Sequence, residues 1–245
     1  MKFFKFRKIP LAWLLLSRQP LRLLVAIAGI SFAGILMFMQ IGFRDGLFDT
    51  SVTIHNLLDA DLVLISPRSK SSISMSGFPK RRLIQALAQN EVKSVSPVNL
   101  NYLLWRNPEN LKTRSILALG FNPNDSILLD KEFSKKANLL KNPGRVLFDG
   151  LSRPEFGPVE EWFESGRKVQ TEVAGKRVLV EGLVELGPSF GADGNLITST
   201  ETYLKLFPAN PKGSIEIGLV KLVANSNSQR VSQILNKSLP NDVRV

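Results

Sequence analysis

The sequence predicts an α+β protein: one N-terminal transmembrane helix, then an extracytoplasmic domain with a split β-α-β, ferredoxin-like part and an inserted, mainly β part. Three observations carry this expectation. An apolar stretch runs from Leu23 to Gly42, strand–helix–strand order recurs at both ends of the remaining chain, and the middle holds short strand signals separated by turn residues.

Between Leu23 and Gly42 only Ser31 and Gln40 are polar. At about 1.5 Å per residue such a helix is roughly 30 Å long, the thickness of a bilayer's hydrocarbon core. Lys2, Lys5, Arg7, Lys8, Arg18 and Arg22 precede it without an acidic residue, whereas Arg44, Asp45 and Asp49 follow. Lys and Arg stay on the cytoplasmic side, so the N-terminus is expected inside and residues from 43 onward outside. A cleavable signal peptide is the competing reading. The stretch is too long for one, and its exit, Gln40-Ile41-Gly42-Phe43-Arg44, offers no small-x-small site, which favours an uncleaved anchor. Within the leader, 1–22, the run Ile9 to Leu16 with Pro10 and Trp13 reads as an interfacial helix on the inner face, broken by Ser17-Arg18-Gln19-Pro20; an extended leader is the alternative.

Beyond the anchor, Asp61 to Ile65 reads as a buried strand closed by Ser66-Pro67. A helix from Pro79 to Gln89 would bury Leu83, Ala86 and Leu87. From Val92 to Trp105 a strand follows, with Val98, Leu100 and Tyr102 alternating with Asn99 and Asn101. The C-terminal end repeats the order. Ile215, Ile217 and Leu219 alternate with Glu216 and Gly218, Ser226 and Gln229 form a capping box, and Val231, Ile234 and Leu235 stripe a helix that Pro240 ends before a last strand at Val243 and Val245. These segments, 43–105 and 211–245, make the split β-α-β part; the insertion is 106–210. Its expected strands are Ser115 to Phe121, Arg145 to Phe148, a hairpin from Val169 to Leu186 turning at Ala174-Gly175-Lys176, and Leu196 to Thr198. Short helices are expected at Pro158 to Phe163 and, after a Thr198/Glu201 capping box, at Ser199 to Phe207.

The net charge of +11 suggests nucleic acid, but six of the 32 cationic residues precede Leu23, leaving 26 against 21 acidic ones. The bias is a topology signal with attraction to anionic lipid, and no nucleic-acid partner is expected. With no cysteine and one histidine, His55, neither disulfides nor a zinc site is expected; metal and cofactor residues are none. Gly187-Pro188-Ser189-Phe190-Gly191 is a formal G-x-S-x-G, yet turn-forming Ala192-Asp193-Gly194-Asn195 replaces the helix a nucleophile elbow needs, and no histidine follows. Ser165-Gly166-Arg167-Lys168 matches S-x-x-K without a companion motif, and Glu160, Glu161 and Glu164 read as a solvated acidic face. No phosphate-binding loop of either glycine-rich type occurs, so no catalytic residue is assigned and ATP hydrolysis is expected in a separate subunit. Gly29 and Ala33 form a small-x-x-x-small pair that could seat a second helix.

Five strings resemble the permease subunits of MacB-type ABC exporters, and within them the DevC-like permeases: Pro10-Leu11-Ala12-Trp13 with Ser17-Arg18-Gln19; Gln40 to Asp45; Leu58-Asp59-Ala60-Asp61 through Ser66-Pro67-Arg68-Ser69; Phe148-Asp149 through Leu151-Ser152-Arg153-Pro154-Glu155-Phe156-Gly157-Pro158; and Ser189 to Leu196. The resemblance implies an inner-membrane permease for a lipid-like or glycolipid substrate with a large periplasmic domain. It implies membrane lipid, a cytoplasmic ABC ATPase, a periplasmic membrane-fusion protein, an outer-membrane channel and a second copy as partners. It also implies a stalk and three further membrane helices after the last strand, absent from these 245 residues, so a split, truncated or incomplete permease is expected. The alternative expectation is a single-pass periplasmic adaptor or binding module without transport activity.

Overall fold

The computed structural model describes residues 18–70, 75–125, 127, 131–189, 191–211 and 213–245, with the side chains of 45–57, 131 and 132 outside the description. The expected interfacial helix at Ile9 to Leu16 and the side chain of His55 lie outside the described residues. The chain divides into two compact units, Met1–Phe48 and Asp49–Val245.

Helix α1 spans Pro20–Leu57. Its Pro20–Arg44 portion is long and apolar enough to cross a membrane, and none of it is buried by protein. Leu24, Ile27, Phe32, Ile35 and Phe38 are all exposed. Such a belt is stable in hydrocarbon rather than in water, where each exposed large side chain forgoes roughly 1.5–3 kcal/mol of burial. The helix continues well past Gly42, where the expected span ends.

The second unit is a mixed α/β domain on a large sheet, the expected α+β class behind one N-terminal apolar helix. Its strands are β1 (Leu62–Ile65), β2 (Phe78–Pro79), β3 (Val92–Arg106), β4 (Thr113–Phe121), β5 (Arg145–Asp149), β6 (Gln170–Val173), β7 (Lys176–Val184), β8 (Asn195–Ser199), β9 (Ser214–Ile215) and β10 (Ile217–Leu222). Eight of them form one sheet in the order β1-β10-β3-β4-β8-β5-β7-β6, and β2 pairs with β9. The ladders β4–β8 and β5–β7 are parallel and the others antiparallel. A pairing of Trp105 with Val173 joins β6 back to β3, closing the last six strands on themselves. The long β3 therefore serves two ladders in turn. Its first half pairs with β10 and its second half with β4, from Val98 to Arg106.

Helices α2 (Arg81–Leu87) and α6 (Ser228–Ser238) cover the β1-β10-β3 end. Leu83 and Ala86 of α2 and Val231 and Leu235 of α6 are buried with Leu64, Phe78 and Val220. Two expectations shift here. Leu87 is 44% exposed while Arg82 is 8% exposed, because Arg82 turns inward to Asp242. The α6 cap is Asn227, whose side chain accepts from Arg230 N, in place of the Ser226/Gln229 box.

The closed part surrounds a second core of Trp105, Ile116, Val146, Phe148, Phe156, Val180 and Leu196. The β6–β7 hairpin turns where expected: Ala174 and Gly175 both have positive φ (49° and 73°), the geometry of a type I′ turn that follows strand twist. Helices α3 (Lys131–Ala137), α4 (Val159–Glu164) and α5 (Thr200–Leu206) flank this part. Helix α3 is unexpected from the sequence: of its seven residues only Phe133 and Ala137 are apolar, one turn apart and both buried, too short a stripe to stand out among three lysines. Ser199, not Thr198, caps α5, accepting from Thr202 N; Thr198 Oγ1 instead donates to Arg145 O.

Candidate functional site

Two of the five strings, separated by thirty residues of chain, meet on one buried carboxylate. Asp149 ends β5 and is fully buried. Its Oδ1 accepts from the backbone N–H groups of Leu151 (3.2 Å), Leu186 (3.0 Å) and Gly187 (3.2 Å), and its Oδ2 accepts from Asn195 Nδ2 (2.8 Å). A buried charge is tolerable only when its lone pairs are filled, and four donors fill these. Asn195 Nδ2 also donates to Gly187 O at 3.0 Å. One acid and one amide thus pin three loop segments together.

Around this hub the strings interlock further. Arg153 Nε bonds Asp193 Oδ1 at 2.8 Å, and Arg153 N donates to Asp193 O. Arg114 lies between Asp193 (3.4 Å) and Glu155 (3.5 Å). These ions are about half exposed and add little stability, but they fix which loop faces which. Beneath them Trp105 Nε1 donates to Phe156 O at 3.0 Å, and Asn107 Nδ2 donates to Glu155 O at 3.0 Å. Gly194 fits against Ser152 and Phe156, where a Cβ would come within 2.7 and 2.8 Å. Gly157, at φ +103°, adopts backbone that L-residues rarely reach, with Asn107 against it.

The formal G-x-S-x-G string belongs to this clamp. Gly187 supplies an N–H to Asp149 and a carbonyl to Asn195, and Ser189 Oγ accepts from Ala192 N at 3.1 Å within a tight turn. Ser165 of the S-x-x-K string donates its hydroxyl to Trp162 O at the end of α4, and Arg167 stacks on Trp162 with 3.6 Å from guanidinium to ring centre. Among the described residues no group of three or more His, Cys, Asp or Glu side chains stands close enough to hold a metal.

A third string is anchored at the other end of the sheet. Asp59 accepts from Lys221 Nζ, a contact that raises the ammonium's pKa above its usual range, and Asp61 Oδ2 accepts from Leu222 N at 2.8 Å. Nearby, Glu216, which alternates with Ile215 and Ile217 in the expected strand, is 4% exposed and sits at the break between β9 and β10. Its Oε2 accepts from Asn99 Nδ2 (3.0 Å) and Leu100 N (3.1 Å), capping β3 where β10 leaves it. Burial pushes its carboxyl pKa up, and these two donors oppose the rise.

No protein-family model matches the sequence, and no curated protein matches it. Among solved structures the chain is similar to the periplasmic region of MacB from Actinobacillus actinomycetemcomitans, at 13% identity and a TM-score of 0.49, over 78% of this chain and 89% of that one. It is also similar to the extracellular domain of the noncanonic ABC-type transporter YknZ from Gram-positive bacteria, at 13% identity and a TM-score of 0.46, over 75% of this chain and 98% of that one.

Between the two parts of the sheet lies a cleft of about 820 Å³, lined by Leu83 and Ile84 of α2, Pro97 of β3, Asp125, and Leu204 of α5. Ile84 is 65% and Leu204 42% exposed, giving the cleft an apolar rim. Burial raises the Asp125 carboxyl pKa, against the lowering pull of Ser96, Lys80 and Asn122.

Proposed function

We propose that this chain is a permease subunit of an ABC exporter for a lipid-like or glycolipid substrate, anchored by α1 with its N-terminus in the cytoplasm and its main domain in the periplasm. The observation that carries the reading is the meeting of two resemblance-bearing strings on Asp149 and Asn195, in a domain preceded by an apolar helix of membrane length. Residues scattered in sequence serve one packing function, which favours a shared fold with DevC-like permeases over a chance run of matches. It also gives the G-x-S-x-G string a structural duty in place of a catalytic one.

In this reading 1–22 is the cytoplasmic leader, 23–42 the spanning segment, 43–105 with 211–245 the periplasmic core part, and 106–210 the inserted part. The subunit is no enzyme. A separate cytoplasmic ATPase supplies the energy, and the periplasmic domain, as a dimer, couples to a membrane-fusion protein and through it to an outer-membrane channel.

Affinity purification of the tagged chain from native membranes in mild detergent tests the reading. Co-purification of an ABC ATPase and a membrane-fusion protein is expected. Recovery of neither, with envelope lipid composition unchanged on deletion, overturns the exporter assignment and leaves the single-pass adaptor.

A further inference from the structure

The outer face of the β5-β7-β6 ladder carries a cationic cleft that the permease reading does not use. Residues 145 on β5, 179 on β7 and 170 on β6 are cross-strand partners, so Arg145, Leu179 and Gln170 stand side by side on one face. Two positions along β7, Arg177 joins the same face, while Val178 and Val180 turn inward to the core. Lys168 precedes β6 at the period-2 position of Gln170. Arg145, Lys168, Gln170 and Arg177 line one cleft of about 380 Å³ floored by Gly144, at the lower end of the size range of small-ligand sites.

The charges there do not cancel. Glu181 is engaged by Arg145, and Glu172, opposite Arg177, is held by Arg106 at 2.9 Å. Among the described residues Lys168 and Arg177 have no carboxylate within ion-pair distance. Two donor-rich cations facing one cleft, with a third fixed at its edge by its own ion pair, present the arrangement that binds an oxyanion: a forked guanidinium, a mobile ammonium and an amide at one wall. Gly144 N is engaged by Thr202 Oγ1 (3.1 Å) and Gly144 O by Leu179 N, so the floor is rigid.

We propose that this cleft binds a phosphate-bearing anion through Lys168 and Arg177, with Arg145 and Gln170 at its sides. The ligand chemistry is that of a phosphoryl group with at least two negative charges, whether free or on a lipid headgroup. Binding is salt-sensitive because the cations are exposed.

The test uses the full chain in zwitterionic nanodiscs. Inorganic pyrophosphate is titrated by calorimetry against wild type, a K168E/R177E variant and a K93E/R230E variant that changes as many charges on the helix-covered end of the sheet. Expected is saturable binding that weakens about tenfold or more in K168E/R177E, stays near wild type in K93E/R230E, and declines with added salt. Undetectable binding at millimolar pyrophosphate, or equal loss in both variants, overturns the proposal. Near-ultraviolet circular dichroism and an unchanged unfolding midpoint establish that the K168E/R177E variant is folded. In a second arm, soluble short-chain phosphatidic acid competes with pyrophosphate: competition assigns the site to a lipid headgroup, and its absence beside retained pyrophosphate binding assigns it to a free anion. The proposal does not depend on the exporter reading, because the calorimetry needs neither ATPase nor fusion protein.

Discussion

Asp149 illustrates how a single side chain can hold three loops. Its carboxylate is the common acceptor for Leu151, Leu186, Gly187 and Asn195, so Asp149→Ala removes the shared acceptor of three backbone N–H groups and one side-chain amide at once. A loss of about 3 kcal/mol or more is expected, with early proteolysis between 186 and 195 as the local readout. Gly194→Ala should cost about 1–3 kcal/mol through the clash with Ser152 and Phe156, measured as a lower denaturant midpoint at unchanged slope. Glu216 gives a pH signature. Its folded pKa is raised above the unfolded value by burial, so its contribution to stability is complete below the ordinary glutamate range and declines as pH rises through the raised value. Glu216→Gln retains an acceptor for Asn99 and Leu100 and removes the charge. Thermal midpoints across about pH 4 to 8 should show the variant gaining on wild type as pH rises; parallel curves would refute this account of Glu216. None of these roles was legible in sequence. Asp149 and Asn195 stood inside recognised strings, but nothing local says that residues 46 apart share a bond.

At the scale of elements, a two-pronged long-range tie joins Arg82 of α2 to Asp242 after α6, through Nε at 2.9 Å and Nη2 at 2.7 Å. It joins the two sequence-distant halves of the β1-β10-β3 layer, where Arg244 also bridges Ile65 at the edge of β1. Hydrogen bonding to Arg82 depresses the Asp242 pKa, so the stabilisation is present at neutral pH and is lost as pH falls through the depressed value. Asp242→Asn should lower the midpoint by about 2–4 °C at pH 7, with the gap to wild type closing in acid, followed by calorimetric melting. Strand and helix existence was largely readable because period-2 and period-3.6 patterns are local. The β6–β7 turn was readable from Gly175, which reaches positive φ without steric cost, although Ala174 beside it takes positive φ against its usual preference. Cap positions slipped by one residue, to Ser199 and Asn227, because neighbouring Ser, Thr and Asn are chemically equivalent caps until the backbone chooses. The single strand expected through Glu216 is broken there because the acid turns in to accept from Asn99 and Leu100, a partnership that alternation along one strand does not encode.

For the whole molecule the decisive prediction concerns topology. A reporter active only outside the cytoplasm, fused after Asp61, should be active, and the same reporter near Lys5 should be silent; the opposite pattern would invert the proposed orientation. The sequence by itself determined an apolar segment of membrane length, an α+β domain behind it and most of the element order. Each of these depends on hydrophobic periodicity, charge and length, which are properties of neighbouring residues. Only the tertiary structure decided that β3 serves two ladders, that Trp105 and Val173 close six strands on themselves, and that Asp149, Asn195, Arg153 and Asp193 form one clamp. Strand order and side-chain partnership are contacts between distant residues, set by the competition to bury apolar area without orphaning polar groups. That competition is resolved only when the whole chain packs.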